Sequence, residues 1–195
     1  MKKSRTVVPI NKKQESAFAS LFRPYIGNLY QSAYRWTLNP HDAEDLVQDL
    51  AETVVKRLSE LAAVDKPRPW LLRVMYNRFV DLHRRTKANP VVTEHALAEE
   101  DAAIVDLAAS EQLSPESLLE QTRLRRKLLQ ALRELDATQR AMVMLFDVEG
   151  YSIREIAAIV DVPEGTVKSR LFRARTQLKS SISREPLADL LRVYR

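Results

Sequence analysis

At 195 residues the chain has room for one ordinary domain or two small ones, and its 45% hydrophobic content excludes global disorder. The absence of cysteine excludes disulfides, thiolate metal sites and a cysteine nucleophile, and it fits a reducing cytoplasm. The net charge of +5 is unevenly spread: residues 1–88 carry +7, residues 89–117 carry −7 with no Lys or Arg, and residues 118–195 carry +5, so two basic modules flank an acidic connector.

Residues 1–13 read as a flexible basic tail, with Lys2, Lys3 and Arg5 but no apolar run behind them, so neither a signal peptide nor a membrane span is expected. From Glu15 the pattern turns helical: Phe18, Leu21, Phe22, Tyr25, Ile26, Leu29, Tyr30, Ala33 and Tyr34 recur at three-to-four spacing. Pro24 predicts a kink or break in this stretch, and Asn39-Pro40 predicts its end. A second helix starts near His41 or Asp42, with Asp42, Glu44 and Asp45 at its positive end. Leu46, Val47, Leu50, Val54, Leu58 and Leu61 form its apolar face, and Ala62 to Pro69 reads as a break. A third helix is predicted over Trp70–Arg85, with Leu71, Val74, Met75, Phe79 and Leu82 inside.

Residues 88–116, bracketed by Asn89-Pro90 and Ser114-Pro115, read as a flexible acidic linker. A second module opens near Pro115. Its first helix carries Leu118, Leu119, Leu124, Leu128, Leu132 and Leu135, and a shorter one runs over Thr138–Phe146 with Gly150 as the stop. No β pattern occurs, so the fold class is all-α: two small helical domains with a tether between them.

Residues 151–178 carry the sharpest signal. Ser152 and Glu155 form a capping box, and Ile153, Ile156, Ala157 and Val160 make one buried face. Asp161-Val162-Pro163 breaks the helix within three residues, and Val162, Val167 and Leu171 pack a second helix back on the first. This is a helix-turn-helix pattern. The second helix leaves Thr166, Lys168, Ser169, Arg170, Phe172, Arg173 and Arg175 outside. Arginine offers paired donors to guanine, lysine neutralises phosphate, and Phe172 suits a thymine methyl group. A basic helix face alone is more often merely solvated. The cap, the tight turn, the small Ala157 at the crossing and the basic second helix together favour DNA.

These residues resemble the extracytoplasmic-function (ECF) sigma factors, the short members of the sigma-70 family of bacterial RNA polymerase. DVEGYSIREIAAIVDVPEGTVKSRLFRARTQL is similar to their region 4, NPHDAEDLVQDL to the start of their region 2, and KPRPWLLRVMYNRFVDLHRR to the helix that follows. The resemblance implies a region 2-like domain at 14–87, a linker at 88–116, a region 4-like domain at 117–182 and a tail at 183–195. It also implies that the chain is the promoter-specificity subunit binding core RNA polymerase and promoter DNA, with an anti-sigma factor as antagonist and no cofactor. By the same resemblance Asp45, Leu46, Gln48 and Asp49 contact the polymerase clamp. Asn77, Arg78, Asp81, Arg84 and Arg85 contact the minus-ten element, and the loop from about Ser59 to Lys66 receives a flipped base. Lys168, Ser169, Phe172 and Arg173 match the usual minus-thirty-five contact positions. The linker would pass near the template path and RNA exit, although a solvated tether fits its sequence equally well. Two departures stand out. Leu135-Asp136-Ala137-Thr138 replaces the common proline-rich turn, and LAETVVKRL lacks the aromatics many members carry there.

Enzyme readings find little support. Glycines stand only at 27, 150 and 165, so no glycine-rich phosphate loop is possible. His41, His83 and His95 are scattered, helix capping explains His41 with Asp42 and Asp45 better than a metal does, and Ser110 and Ser114 lack a nucleophile context. No catalytic or metal residues are expected. Two rival readings remain open on sequence: a stand-alone helix-turn-helix regulator of duplex operators, and a helical adaptor that binds only proteins.

Overall fold

A computed structural model describes residues 12–88 and 115–182, and the elements in both stretches are helical. The basic tail expected at 1–13 lies outside the described residues except for Lys12 and Lys13, which open the first helix and not a tail; the expected tail at 183–195 and most of the acidic linker also lie outside them.

Helix α1 spans Lys12–Phe22, three residues earlier than the spacing from Glu15 suggests. Pro24 ends it: a 3-10 turn over Arg23–Tyr25 separates α1 from α2, Ile26–Thr37. Proline lacks the N–H that a continuous helix would need there. Helix α2 stops at Leu38, whose φ of 54° is left-handed. That conformation costs a non-glycine residue about 1–2 kcal/mol, and burial of the Leu38 side chain in the core offsets it.

Asn39 then caps α3, Pro40–Lys56, its side chain accepting the Asp42 N–H at 2.9 Å. Pro40 takes the first helical position, where no N–H is required. Ala43, Leu46, Leu50 and Val54 repeat at helical spacing and are all buried. Leu58 and Leu61 belong to a separate short helix, α4, Leu58–Ala63, because the backbone leaves helical geometry at Arg57. The break expected from Ala62 to Pro69 shrinks to 64–66. Helix α5 is Pro67–Ala88 and holds Pro67 and Pro69 in its first turn, where unpaired N–H groups make proline harmless.

In the second module α6 spans Pro115–Glu134 and buries Leu128, Leu129, Ala131 and Leu132. Asp136 caps α7, Ala137–Val143, accepting the Thr138 N–H at 2.9 Å, so the polar start that departs from the family pattern does cap the helix. A π-helical turn, Met144–Val148, extends α7, and Gly150 ends it with φ 75°. Helices α8, Ile153–Val160, and α9, Glu164–Ser181, complete the chain as described.

The modules share one core. Trp36 of α2 packs edge-on against Tyr76 at 6.0 Å and against Phe79 at 5.6 Å. Beyond its expected inner face, α5 also buries Leu72 and Tyr76, because α3 covers one side of it and α8 another. Helix α2 likewise packs on α7 and the π-turn.

Candidate nucleic-acid interface

The helix-turn-helix is held by local hydrogen bonds. The Ser152 hydroxyl oxygen accepts the Glu155 N–H at 3.3 Å, and the Glu155 carboxylate accepts the Ser152 N–H at 2.9 Å. These bonds to the Ser152 backbone and hydroxyl hold the Glu155 carboxyl below its ordinary range. Ser152→Ala should lower the unfolding free energy by about 1 kcal/mol. The bond from the Ser152 hydroxyl to the Glu155 carboxylate contributes above the ordinary glutamate range and is lost as pH falls through the depressed value, so the gap between mutant and wild type should narrow in acid without closing, because the bond from the Glu155 N–H to the Ser152 hydroxyl does not titrate. Urea melts of both proteins at neutral and acidic pH check this.

Helix α8 ends at Asp161, left-handed with φ 56°, and the Pro163 carbonyl accepts the first N–H groups of α9, from Thr166 and Val167. Val167, Leu171, Ala174 and Leu178 form the buried stripe of α9. Lys168, Ser169, Phe172 and Arg173 are exposed together on its outer side, with Phe172 73% exposed.

The other three residues expected at this surface sit differently. Thr166 and Arg170 are half-buried. Arg175 is committed to its own module: its Nε donates to Asp147 at 3.0 Å and its guanidinium lies over the Phe146 ring at 4.7 Å. A pocket of about 310 Å³ is lined by Phe146, Ile153, Leu171 and Phe172 together with Lys168 and Lys179.

On α5 the residues Asn77, Arg78, Asp81, Arg84 and Arg85 are all exposed on one face, opposite buried Met75 and Phe79. Arg78 donates to the Thr53 hydroxyl at 3.3 Å. The loop expected from Ser59 to Lys66 to receive a base is mostly helix, since α4 runs to Ala63. Beside it Arg57 covers the ring of half-buried Trp70 at 5.0 Å, an aromatic that the sequence reading left unused.

On α3, Asp45, Gln48 and Asp49 are exposed. Leu46 is a correction: at 2% exposure it belongs to the core, because it falls on the buried stripe with Ala43 and Leu50.

Two buried charges that sequence reasoning missed lie where the modules meet. The Glu149 side chain, 2% exposed, accepts from Arg68 at 3.0 Å and lies 4.0 Å from Arg35. Burial pushes its carboxyl up, and the Ser32 hydroxyl, Arg68 and Arg35 pull it back. Arg140, 8% exposed, donates through Nε to the Trp36 carbonyl at 2.7 Å and through Nη1 to the Leu132 carbonyl at 3.0 Å. Burial lowers its pKa to about 10, so it remains a cation at neutral pH.

Comparison with known proteins accounts for the two modules. A family model for sigma-70 region 2 matches residues 21–89, and one for sigma-70 region 4 matches residues 125–178. The ECF RNA polymerase sigma factor SigM of Mycobacterium tuberculosis strain H37Rv is 32% identical over 162 residues, covering 83% of this chain and 75% of that protein. The chain belongs to the ECF sigma factors.

SigE of Mycolicibacterium smegmatis is 35% identical over 169 residues, or 84% of this sigma factor, which spans 61% of that longer relative. SigW of Bacillus subtilis is 25% identical over 91% of this chain and 95% of its own. Among solved structures, the sigma factor RpoE in complex with the anti-sigma factor NepR, from Bartonella quintana, superposes with a TM-score of 0.63 at 22% identity, covering 87% of this chain and 98% of that one. Membership of this family decides against both the stand-alone regulator and the protein-only adaptor. Region 2 of this sigma factor therefore contains α2 to α5, and region 4 contains the second half of α6 through most of α9.

Proposed function

We propose that this sigma factor docks on core RNA polymerase through the exposed acidic face of α3 (Asp45, Gln48 and Asp49) and reads promoter DNA with two helix faces. The face of α5 carrying Asn77, Arg78, Asp81, Arg84 and Arg85 takes the minus-ten element. The face of α9 carrying Lys168, Ser169, Phe172 and Arg173 takes the minus-thirty-five element, with Arg170 at its margin and Thr166 near its start. The observation that carries the reading is the outward exposure of polar groups on α5 and α9, each inside a region matched to a sigma domain. The polymerase performs nucleotidyl transfer, and this chain contributes specificity rather than a catalytic group. Among the described residues no helix is long and apolar enough to cross a membrane and no group of His, Asp or Glu is placed to hold a metal. Work with polymerase places the chain in the cytoplasm. An anti-sigma factor is its expected protein antagonist, as NepR is for RpoE.

Run-off transcription with purified core polymerase, with and without this chain, on promoters from its own genome tests the reading. Transcripts that do not depend on the chain, together with no co-elution with core, refute it. Asp49→Ala should weaken core binding roughly tenfold, about 1.4 kcal/mol, while leaving DNA binding by the free chain within twofold. Equal losses in the two assays would remove Asp49 from the polymerase interface.

A further inference from the structure

We propose that residues 187–194, in the C-terminal tail, dock as a short helix in the pocket beside α9 and shield the outer face of that helix from DNA. The inference rests on the reading of α9 as the reader of the minus-thirty-five element and adds an internal competitor to it.

The pocket suits an amphipathic partner. Phe146 of the π-turn, Ile153 of α8, and Leu171 and Phe172 of α9 give it an apolar lining, and Lys168 and Lys179 add two cations. Among the described residues only Ile26 and Phe172 are large apolar side chains left exposed, and Phe172 is much the more exposed. Its ring and the pocket lining make one apolar patch with charge beside it, the composition of an interaction site. Neither Lys168 nor Lys179 has an ion-pair partner among the described residues, so both ammonium groups remain available to a docked segment.

The chain itself supplies a segment that fits. Thirteen residues follow Ile182, which closes α9. Leu187, Leu190, Leu191 and Tyr194 stand at i, i+3, i+4 and i+7, the spacing of anchors that a helix lays into an apolar groove. Asp189 and Arg192 fall on the opposite face of such a helix. Pro186 precedes the run and suits a first helical position. A helix this short is unstable alone in water, so it forms only against a surface that buries its apolar side. The dimensions agree. Lys168 and Lys179 stand roughly 16 Å apart along α9, and residues 187–194 as a helix cover about 12 Å. Residues 183–186 make a connector of four, within the range of about two to eight that joins neighbouring antiparallel helices. The charges agree as well. Reversal at the end of α9 brings Glu185 toward Lys179 and the carbonyl end of the docked helix toward Lys168, and cations are favoured at that end. The docked segment covers Lys168 and Phe172, both on the face assigned to the minus-thirty-five element. Segment and DNA therefore compete for one surface.

The sequence has no cysteine, so Thr176→Cys places a single thiol in the pocket. Thr176 is exposed and its hydroxyl donates to the Phe172 carbonyl within α9, so the exchange is mild. In this background a maleimide should label the thiol several-fold more slowly in the full chain than in the triple variant Leu187→Ser, Leu190→Ser, Leu191→Ser. Arg192→Ser, on the far face, should leave the slow rate unchanged. Circular dichroism checks that each variant is folded. The protection should persist on strong dilution. Protection lost on dilution assigns the segment to a second copy of the chain and overturns the internal contact. With Thr176 restored, holoenzyme carrying the triple variant should bind the cognate minus-thirty-five element several-fold more tightly than holoenzyme carrying the unaltered chain. Equal labelling rates with and without the three substitutions, or no gain in promoter binding by the triple variant, overturn the proposal. If neither holoenzyme distinguishes the cognate element from a scrambled one, the reading of α9 falls instead, and the labelling rates still decide whether the segment docks.

Discussion

Trp36→Ala is expected to lower the unfolding free energy by about 3–5 kcal/mol, a large part of the roughly 5–15 kcal/mol that holds a typical domain together. Trp36 is fully buried, packs on Tyr76 and Phe79, and presents its carbonyl to Arg140. Removing the indole therefore leaves a cavity beneath α5 at the point where the two regions meet. Trp36→Phe should cost distinctly less. It keeps an aromatic ring in the site, and it removes an indole N–H that is buried with no hydrogen-bond partner among the described residues. An unsatisfied buried donor costs about 1–3 kcal/mol, so deleting it returns part of the packing loss. Urea denaturation followed by circular dichroism checks both variants. A Trp36→Ala protein within about 1 kcal/mol of wild type would refute the packing of the indole against α5.

The parts of this molecule governed by local chemistry were legible in the sequence. The capping box at Ser152 and Glu155, the break at Pro24, the boundary at Asn39-Pro40 and the stop at Gly150 depend on residues within a few positions of one another, and each stands where it was expected. The exposed face of α5 was equally legible, and that of α9 at Lys168, Ser169, Phe172 and Arg173 but not at half-buried Thr166, Arg170 and Arg175, because helical spacing decides which side faces out and neighbouring elements decide its margins. What escaped was what a distant partner decides. Glu149 and Arg140 look like ordinary surface charges until Arg68 lies 81 positions away and Trp36 lies 104 positions away. Met142, Val143, Met144 and Leu145 are buried in succession, because α7 and the π-turn are covered on more than one side. A signal for the second buried face of α5 did exist. Trp70 to Tyr76 is apolar except for Arg73, too continuous for a helix covered on one side only. Leu46 illustrates the opposite error: family analogy placed it at the polymerase contact, while its spacing with Leu50 and Val54 already assigned it to the core.

Arg173→Ala should lose roughly 5- to 150-fold in discrimination between the cognate minus-thirty-five sequence and a scrambled one, corresponding to about 1–3 kcal/mol for a lost base contact. Arg173 stands on the outer face of α9, one turn beyond Ser169, and its Nε meets the Ser169 carbonyl only at 3.4 Å. A contact that long does not hold the guanidinium, so its paired donors can turn to a guanine edge. Lys168→Ala removes a compact cation suited to phosphate. It should weaken cognate and scrambled binding alike and make binding less sensitive to salt. Arg175→Ala supplies the contrast. Its ion pair with Asp147 and its stacking on Phe146 tie it to the scaffold, so its loss should lower stability and leave the discrimination ratio where it was. Competition binding of holoenzyme to the two promoters across a salt series separates the three. If Arg173→Ala keeps the wild-type ratio, base reading passes to its exposed neighbours Lys168, Ser169 and Phe172, and the basic face of α9 serves mainly to grip the backbone.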